Sequence, residues 1–155
     1  MSDDRYILVI ADGSKEMGVA LLYACARSKK TNRKIIIATF IEPLDLLTTQ
    51  GVTEIMQNEA REEAELRLQK ASSIVKESTG MIPVLHLREG KIIEELINLI
   101  EEEKNINVLV LATKIDNDGP GPIISALTST GYSRLRIPVM IVPGNFSKEH
   151  ISLIT

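Results

Sequence analysis

The chain has no tryptophan, and aromatic residues make up only 3% of it, so it has few of the ring faces on which single-stranded nucleic acids stack their bases. It also lacks a basic excess. Eighteen Lys and Arg stand against 21 Asp and Glu, a net charge of −3, which sets up no field to attract nucleic acid or an acidic membrane surface. The one cysteine, Cys25, has no partner for an internal disulfide, which is the thiol usage of a reducing cytoplasm. No apolar run approaches the roughly 20 residues of a membrane-spanning helix. The opening MSDDRY is acidic ahead of a short apolar run, whereas a signal peptide needs basic residues first and a longer apolar core. These absences predict a cytoplasmic protein with neither nucleic acid nor membrane as partner.

What is present describes an ordinary globular domain. A length of 155 residues with 44% hydrophobic and 25% charged residues is enough to bury a core without disulfides or metals. Five short, almost continuously apolar runs read as strands: Tyr6–Ala11, Lys34–Ile41, Ile82–Leu87, Val108–Ala112 and Val139–Val142. Runs of this kind suit strands covered on both faces. Helical patterns separate them. Ser14 is placed to cap a helix from about residue 16 to 28 that packs through Met17, Leu21 and Ala24. Ala60, Ala64, Leu68, Ala71 and Val75 form one stripe of a helix over 59–79, which Gly80 ends. Ile93, Leu96, Ile97 and Ile100 form another, with Glu94, Glu95 and Glu101–Glu103 outward as a solvated face. Alternating strands and helices joined by right-handed crossovers give an open, doubly wound, five-stranded parallel sheet with helices on both faces. Residues 42–58 exceed a usual connection and are expected to form a flap or short extra helix beside the carboxyl edge of the sheet. Residues 1–145 read as a single domain and 146–155 as a short tail or helix capped by Ser147.

The stretch Val108–Gly121, VLVLATKIDNDGPG, carries most of the functional information. A buried strand that gives way to a Gly-rich turn before a helix is where parallel α/β proteins place anionic ligands. Two fragments imitate a GTPase. Gly13–Gly18 (GSKEMG) has the glycine spacing of a phosphate-binding loop, but Val19 and Ala20 stand where the Lys and the Ser or Thr are required. The TKID of 113–116 resembles a guanine-reading element, yet no acidic-Gly switch motif accompanies it. GTP hydrolysis is therefore not expected, and Gly13–Gly18 reads as a loop entering a helix. His86, inside the third strand, and His150, near the end, have no catalytic partner at motif spacing. Cys25 lies mid-helix between Ala24 and Ala26, a place for a small buried residue. There is no nucleophile elbow, metal-ligand cluster or dinucleotide fingerprint.

If the first and fourth strands are neighbours, Asp12-Gly13-Ser14 and Thr113–Gly121 face each other outside the strand ends. Asp12 can accept from a ribose hydroxyl, and Gly119 and Gly121 can bring backbone N–H groups to phosphate without a Cβ in the way. Equally, Asp12 and Ser14 can serve only as helix caps, and Gly-Pro-Gly-Pro only as a turn. Both readings stand at this level.

Four segments in order, ILVIADGS at 7–14, IIIATFIEP at 35–43, VLHLREGKIIEELINLIEEEKNINVLVLAT at 84–113 and IPVMIVPG at 137–144, make the chain resemble the universal stress proteins over nearly its whole length. The resemblance implies their adenine-nucleotide α-hydrolase-like fold with strand order 3-2-1-4-5. It also implies a homodimer, often formed through the last strand, here Val139–Val142, whose apolar edge is otherwise a pairing liability. Members that bind ATP are similar in a Gly-x-x-Gly, nine-residue, Gly-Ser/Thr motif. Here that motif is replaced by the shorter KIDNDGPGP, with Gly119 and Gly121 one residue apart and no Gly-Ser/Thr following. Pro120 and Pro122 also lack the N–H groups of a phosphate cradle. By resemblance Asp12 matches the family's acidic residue after the first strand and Phe40 its adenine-side position. The implied site is Asp12, Gly13, Ser14, Phe40, Thr113, Gly119 and Gly121, with Asp12 to ribose, the Phe40 backbone to adenine, and Thr113, Gly119 and Gly121 near phosphate. The reading is a dimeric, stress-response regulatory module with an unknown protein partner and no turnover, taking ATP or AMP weakly if at all. The alternatives are an ATP-binding protein with slow hydrolysis in the same cleft, or a structural dimer whose cleft is closed by residues 42–58.

Overall fold

A computed structural model describes residues 4–43, 50–116 and 118–155, and of residues 50–53 the backbone alone. The strands are β1 (Tyr6–Ile10), β2 (Lys34–Ile41), β3 (Val84–Glu89), β4 (Ile106–Ala112) and β5 (Val139–Val142). The helices are α1 (Met17–Thr31), α2 (Gln50–Thr79), α3 (Ile92–Glu102), α4 (Pro122–Ser129) and α5 (Lys148–Ile154), with a 3₁₀ turn over Gly131–Arg134. All five strands are parallel in the order β3-β2-β1-β4-β5, as the sequence implied. Among the described residues no helix is long and apolar enough to cross a membrane.

Strand alternation divides the core into two layers. Ile7 and Val9 of β1 and Ile35 and Ile37 of β2 face α1 and α2, against Leu21, Ala24, Leu68 and Ala71. Leu8, Ile10, Ile36, Ala38 and Phe40 face α3 and α4, against Leu96, Leu99, Ile100, Ile123 and Leu127. The expected stripe on α2 is buried at Ala64, Leu68, Ala71 and Val75, and Cys25 is buried too. Burial raises the Cys25 thiol above its ordinary pKa, partly offset by a hydrogen bond from Ser78, so this thiol stays protonated and inert.

The departures from the sequence reading have local causes. Strand β3 begins two residues late because Pro83 has no N–H, and it runs through Arg88 and Glu89, which pair with Phe40 and Ile41. An edge strand leaves one flank to solvent, so charge is tolerated there. Strand β4 begins at Ile106, before the apolar run, because the β1 register shifts between Tyr6 and Ile7 and Asn107 falls in the irregularity. Helix α1 continues past Ser28 to Thr31 and stops where Asn32 turns left-handed at φ 59°. Residues 50–58 are neither a flap nor a separate short helix but the start of the 30-residue α2; residues 44–49 lie outside the described residues. Helix α5 forms as expected, with the Ser147 side chain accepting from His150 N, and Ile151 docks it.

Candidate functional site

Strands β1 and β4 are neighbours, so the loops that follow them meet at the carboxyl edge of the sheet. Between them lies a cleft of about 760 Å³, with Asp12, Gly13 and Ser14 on one side and Lys114, Pro122 and Ile123 on the other. The N-terminal turn of α3, Lys91 to Glu94, closes its third side, and Glu42 after β2 stands at its rim. A second hollow of about 660 Å³ continues beyond Ser14 between Lys15, Glu16, Thr113 and Gly144. Under both, Gly121 and Pro120 help line a space of about 30 Å³, room for one water.

The β1 loop is held from both directions. Ala11 N donates to Ala38 O at 2.8 Å. The Ala11 carbonyl accepts from the buried Thr39 Oγ1 at 2.6 Å, and that hydroxyl accepts from Arg67 Nη2 of α2 at 3.2 Å. Asp12 then folds the chain over itself: its Oδ1 accepts from Ser14 N at 3.0 Å and from Ser14 Oγ at 2.6 Å. This corrects the expected role of Ser14. It does not cap α1; Glu16 occupies that position without a side-chain cap, and Ser14 completes an Asx-type turn instead. Asp12 lines the cleft, and among the described residues no hydrogen bond is made to its Oδ2, which can accept from a ligand hydroxyl. Gly13 is required at the turn, because its φ is +79° and the Arg67 side chain lies against it.

The β4 loop is held mainly by backbone. Thr113 N donates to Val142 O at 2.9 Å, and Lys114 N donates to Pro120 O at 3.0 Å, closing the loop on itself. Gly144 N donates to Thr113 Oγ1 at 3.2 Å, and the Gly144 Cα lies so close that a Cβ would fall 2.0 Å from the Thr113 carbonyl oxygen. Gly121, at φ +117°, leads into α4, which has no capping side chain and opens on Pro122.

The structure thus brings Asp12, Gly13, Ser14, Thr113 and Gly121 to one edge. Phe40 is separate: its ring is buried in the α3/α4 layer, and it does not line these cavities. Gly119 is exposed, at φ +93° with open space around it. Residues that sequence reasoning missed include Glu42, Lys91 and Lys114, each just beyond the carboxyl end of a strand, where topology alone would have drawn attention to them. It also missed Thr39 and Arg67, which look like ordinary strand and helix positions.

Charge does not favour a polyphosphate. Asp12, Glu16, Glu42 and Glu94 line the main cleft against Lys91 and Lys114. Glu94 is engaged by Arg134 at 2.7 and 2.8 Å, and that hydrogen-bonded guanidinium holds its carboxyl below the usual carboxylate range. Lys114 stands 4.0 Å from Asp116. His86 lies on β3, away from the cleft, with its pKa lowered by burial and then by Arg88. Among the described residues no group of three or more metal-binding side chains occurs.

The chain is a doubly wound α/β domain with its cleft at the strand-order reversal, where folds of this class place their ligands. Residues 5–143 match the universal stress protein family, and the chain belongs to that family. It is similar in fold to the universal stress protein UspA from Lactobacillus plantarum, at 13% identity and TM-score 0.76, over 92% of this chain and 99% of that one. It is also similar to a universal stress protein in complex with cAMP, at 22% identity and TM-score 0.65, over 93% and 100% of the two chains. The Archaeoglobus fulgidus universal stress protein in complex with dAMP aligns at 14% identity and TM-score 0.64, over 92% and 99%. No curated protein matches the chain.

Proposed function

We propose that this chain is a cytoplasmic, dimeric binding and regulatory module that takes an adenine nucleotide weakly through its nucleoside half and does not turn it over. The observation that carries this reading is the unequal cleft. Asp12 is held at the end of β1 by two hydrogen bonds from Ser14 to one carboxylate oxygen, with no bond to the other among the described residues, while the facing loop has prolines at 120 and 122 and a carboxylate-rich surround. A ribose hydroxyl has an acceptor there; β- and γ-phosphates have no amide cradle. The cAMP and dAMP complexes of the fold neighbours support a ligand with a single phosphate.

The test is a thermal-shift titration with AMP, ADP and ATP, with and without Mg²⁺. A ligand at a hundredfold excess over its Kd stabilises by about 2.7 kcal/mol. AMP is expected to shift the protein at least as far as ATP, and Asp12→Ala to abolish the shift. No shift at millimolar ligand would remove the nucleotide reading.

Dimerisation is proposed through β5. It is an edge strand whose Met140 and Ile141 are 42% and 40% exposed, and pairing it with a second copy would cover them. Light scattering should give twice the chain mass, and Ile141→Lys should return it to one.

A further inference from the structure

The least expected feature near the cleft is Arg67. It belongs to α2, on the opposite layer from the cleft walls, and its neighbours Leu68 and Ala64 are core residues. Its guanidinium reaches to the carboxyl end of β2, where Nη2 donates to Thr39 Oγ1 at 3.2 Å. Thr39 is fully buried and its hydroxyl donates to the Ala11 carbonyl at 2.6 Å. That carbonyl belongs to the peptide joining Ala11 to Asp12, so the plane that launches Asp12 is set by this hydrogen bond. The aliphatic part of Arg67 also packs under Gly13, where an ideal Cβ would lie 3.0 Å from Arg67 Cδ. Arg67 therefore meets the Asp12–Ser14 loop twice, through a hydroxyl relay at its start and by contact at its turn. Each donor in such a chain is strengthened by the next, because a polarised hydroxyl is both a better donor and a better acceptor.

A purely structural arginine would be expected to have its donors satisfied. Here Nε is buried with no hydrogen-bond partner among the described residues, a state that costs stability. What the position gains is an immobile base for the loop. We infer that Arg67 is a positioning residue for ligand recognition: through Thr39 and Ala11 it fixes the direction of the Asp12 carboxylate, and so couples the long helix α2 to occupancy of the cleft. This rests on Asp12 being the ribose contact, as proposed above. Arg67 lines none of the cavities beside that loop, so it acts through the loop and not on the phosphate.

The experiment compares AMP with adenosine in calorimetric titrations of wild type, Arg67→Met, Arg67→Lys and Thr39→Ser. Loss of one charge-assisted hydrogen bond predicts a Kd roughly tenfold higher in Arg67→Met, equally for AMP and for adenosine. Arg67→Lys, which keeps one donor, should recover most of it, and Thr39→Ser, which keeps the hydroxyl, should bind like wild type. Amide exchange of Asp12–Ser14 in the free protein should quicken in Arg67→Met and recover in Arg67→Lys. Unchanged affinity in Arg67→Met would overturn the inference, as would a loss confined to AMP, which would make Arg67 a phosphate contact. If wild type bound neither ligand while the variants kept its loop exchange, both this inference and the nucleotide reading would fall. If wild type bound both and Arg67→Met bound them with unchanged affinity, only this inference would.

Discussion

The two loops that face each other across the cleft follow neighbouring strands of the same sheet, yet they are built in opposite ways. The β1 loop, residues 11–16, is tied by side chains, from Arg67 and Thr39 below to the Asp12–Ser14 turn above. The β4 loop is longer and tied mainly at its root, by backbone bonds of Thr113 and Lys114 and by the close approach of Gly144, with one side-chain bond further out, from Asp118 N to Asp116 Oδ1 at 2.9 Å. Beyond that root Ile115 and Gly119 are exposed. A side-chain relay fixes the direction of a functional group, whereas a backbone clamp fixes only where a loop begins. On the proposed function, recognition falls to the β1 side, and the β4 side closes the fold.

The contrast can be broken most forcefully at the β4 root. Gly144→Ala would drive a methyl group into the Thr113 carbonyl, with about 3 kcal/mol of destabilisation expected from overpacking, measured by urea unfolding. A loss below 1 kcal/mol would mean that the β4 clamp is not rigid. Next comes Thr39→Val, which leaves the Ala11 carbonyl and an Arg67 donor unpaired in the core. About 2 kcal/mol is expected from those unmet groups, against a small loss for Thr39→Ser.

A paired comparison of glycines sharpens the point at lower cost. Gly13→Ala meets both a positive φ and the Arg67 side chain, whereas Gly119→Ala meets positive φ in open space. About 2 kcal/mol is expected for the first and about 1 for the second, since strain is common to both and the steric term is not. Equal losses would show that Arg67 yields freely.

The smallest effect concerns pH and the far edge of the sheet. The folded pKa of His86 is depressed by burial and by Arg88. Its contribution to stability is therefore present above the ordinary histidine pKa and lost as pH falls through the lower folded value. His86→Gln should flatten the stability profile on that acid side, and an unchanged profile would place the pH sensitivity elsewhere. Ligand affinity should not follow His86, which is on β3 and away from the cleft.

Much of this was legible in the chain itself. The five apolar runs, the α2 stripe at Ala64, Leu68, Ala71 and Val75, and the Ser147 cap each depend on spacing that a sequence displays directly. The errors arose where a neighbour intervened. Pro83 and the edge position of β3 moved that strand by two residues, and Asn107 hid the start of β4 because a polar bulge residue looks like a loop. Ser14 has the residue type of a helix cap, but Asp12 two residues earlier offered its hydroxyl and N–H a closer acceptor. Phe40 was singled out by resemblance for its backbone and not its ring, and the ring packs in the α3/α4 layer.

The sequence by itself determined the fold class, the strand order through family resemblance, and the absence of an N–H at Pro120 and Pro122 wherever that loop lies. It also identified Asp12, whose position after a strand needs no distant partner to be noticed. Only the tertiary structure decided how Asp12 is held. Thr39 and Arg67 are 28 residues apart in the chain, and neither carries a local pattern that distinguishes it from its helix or strand neighbours. They meet because α2 packs on the face of the sheet over β2 and brings Arg67 to the carboxyl end of that strand, a juxtaposition that exists only once the sheet is assembled.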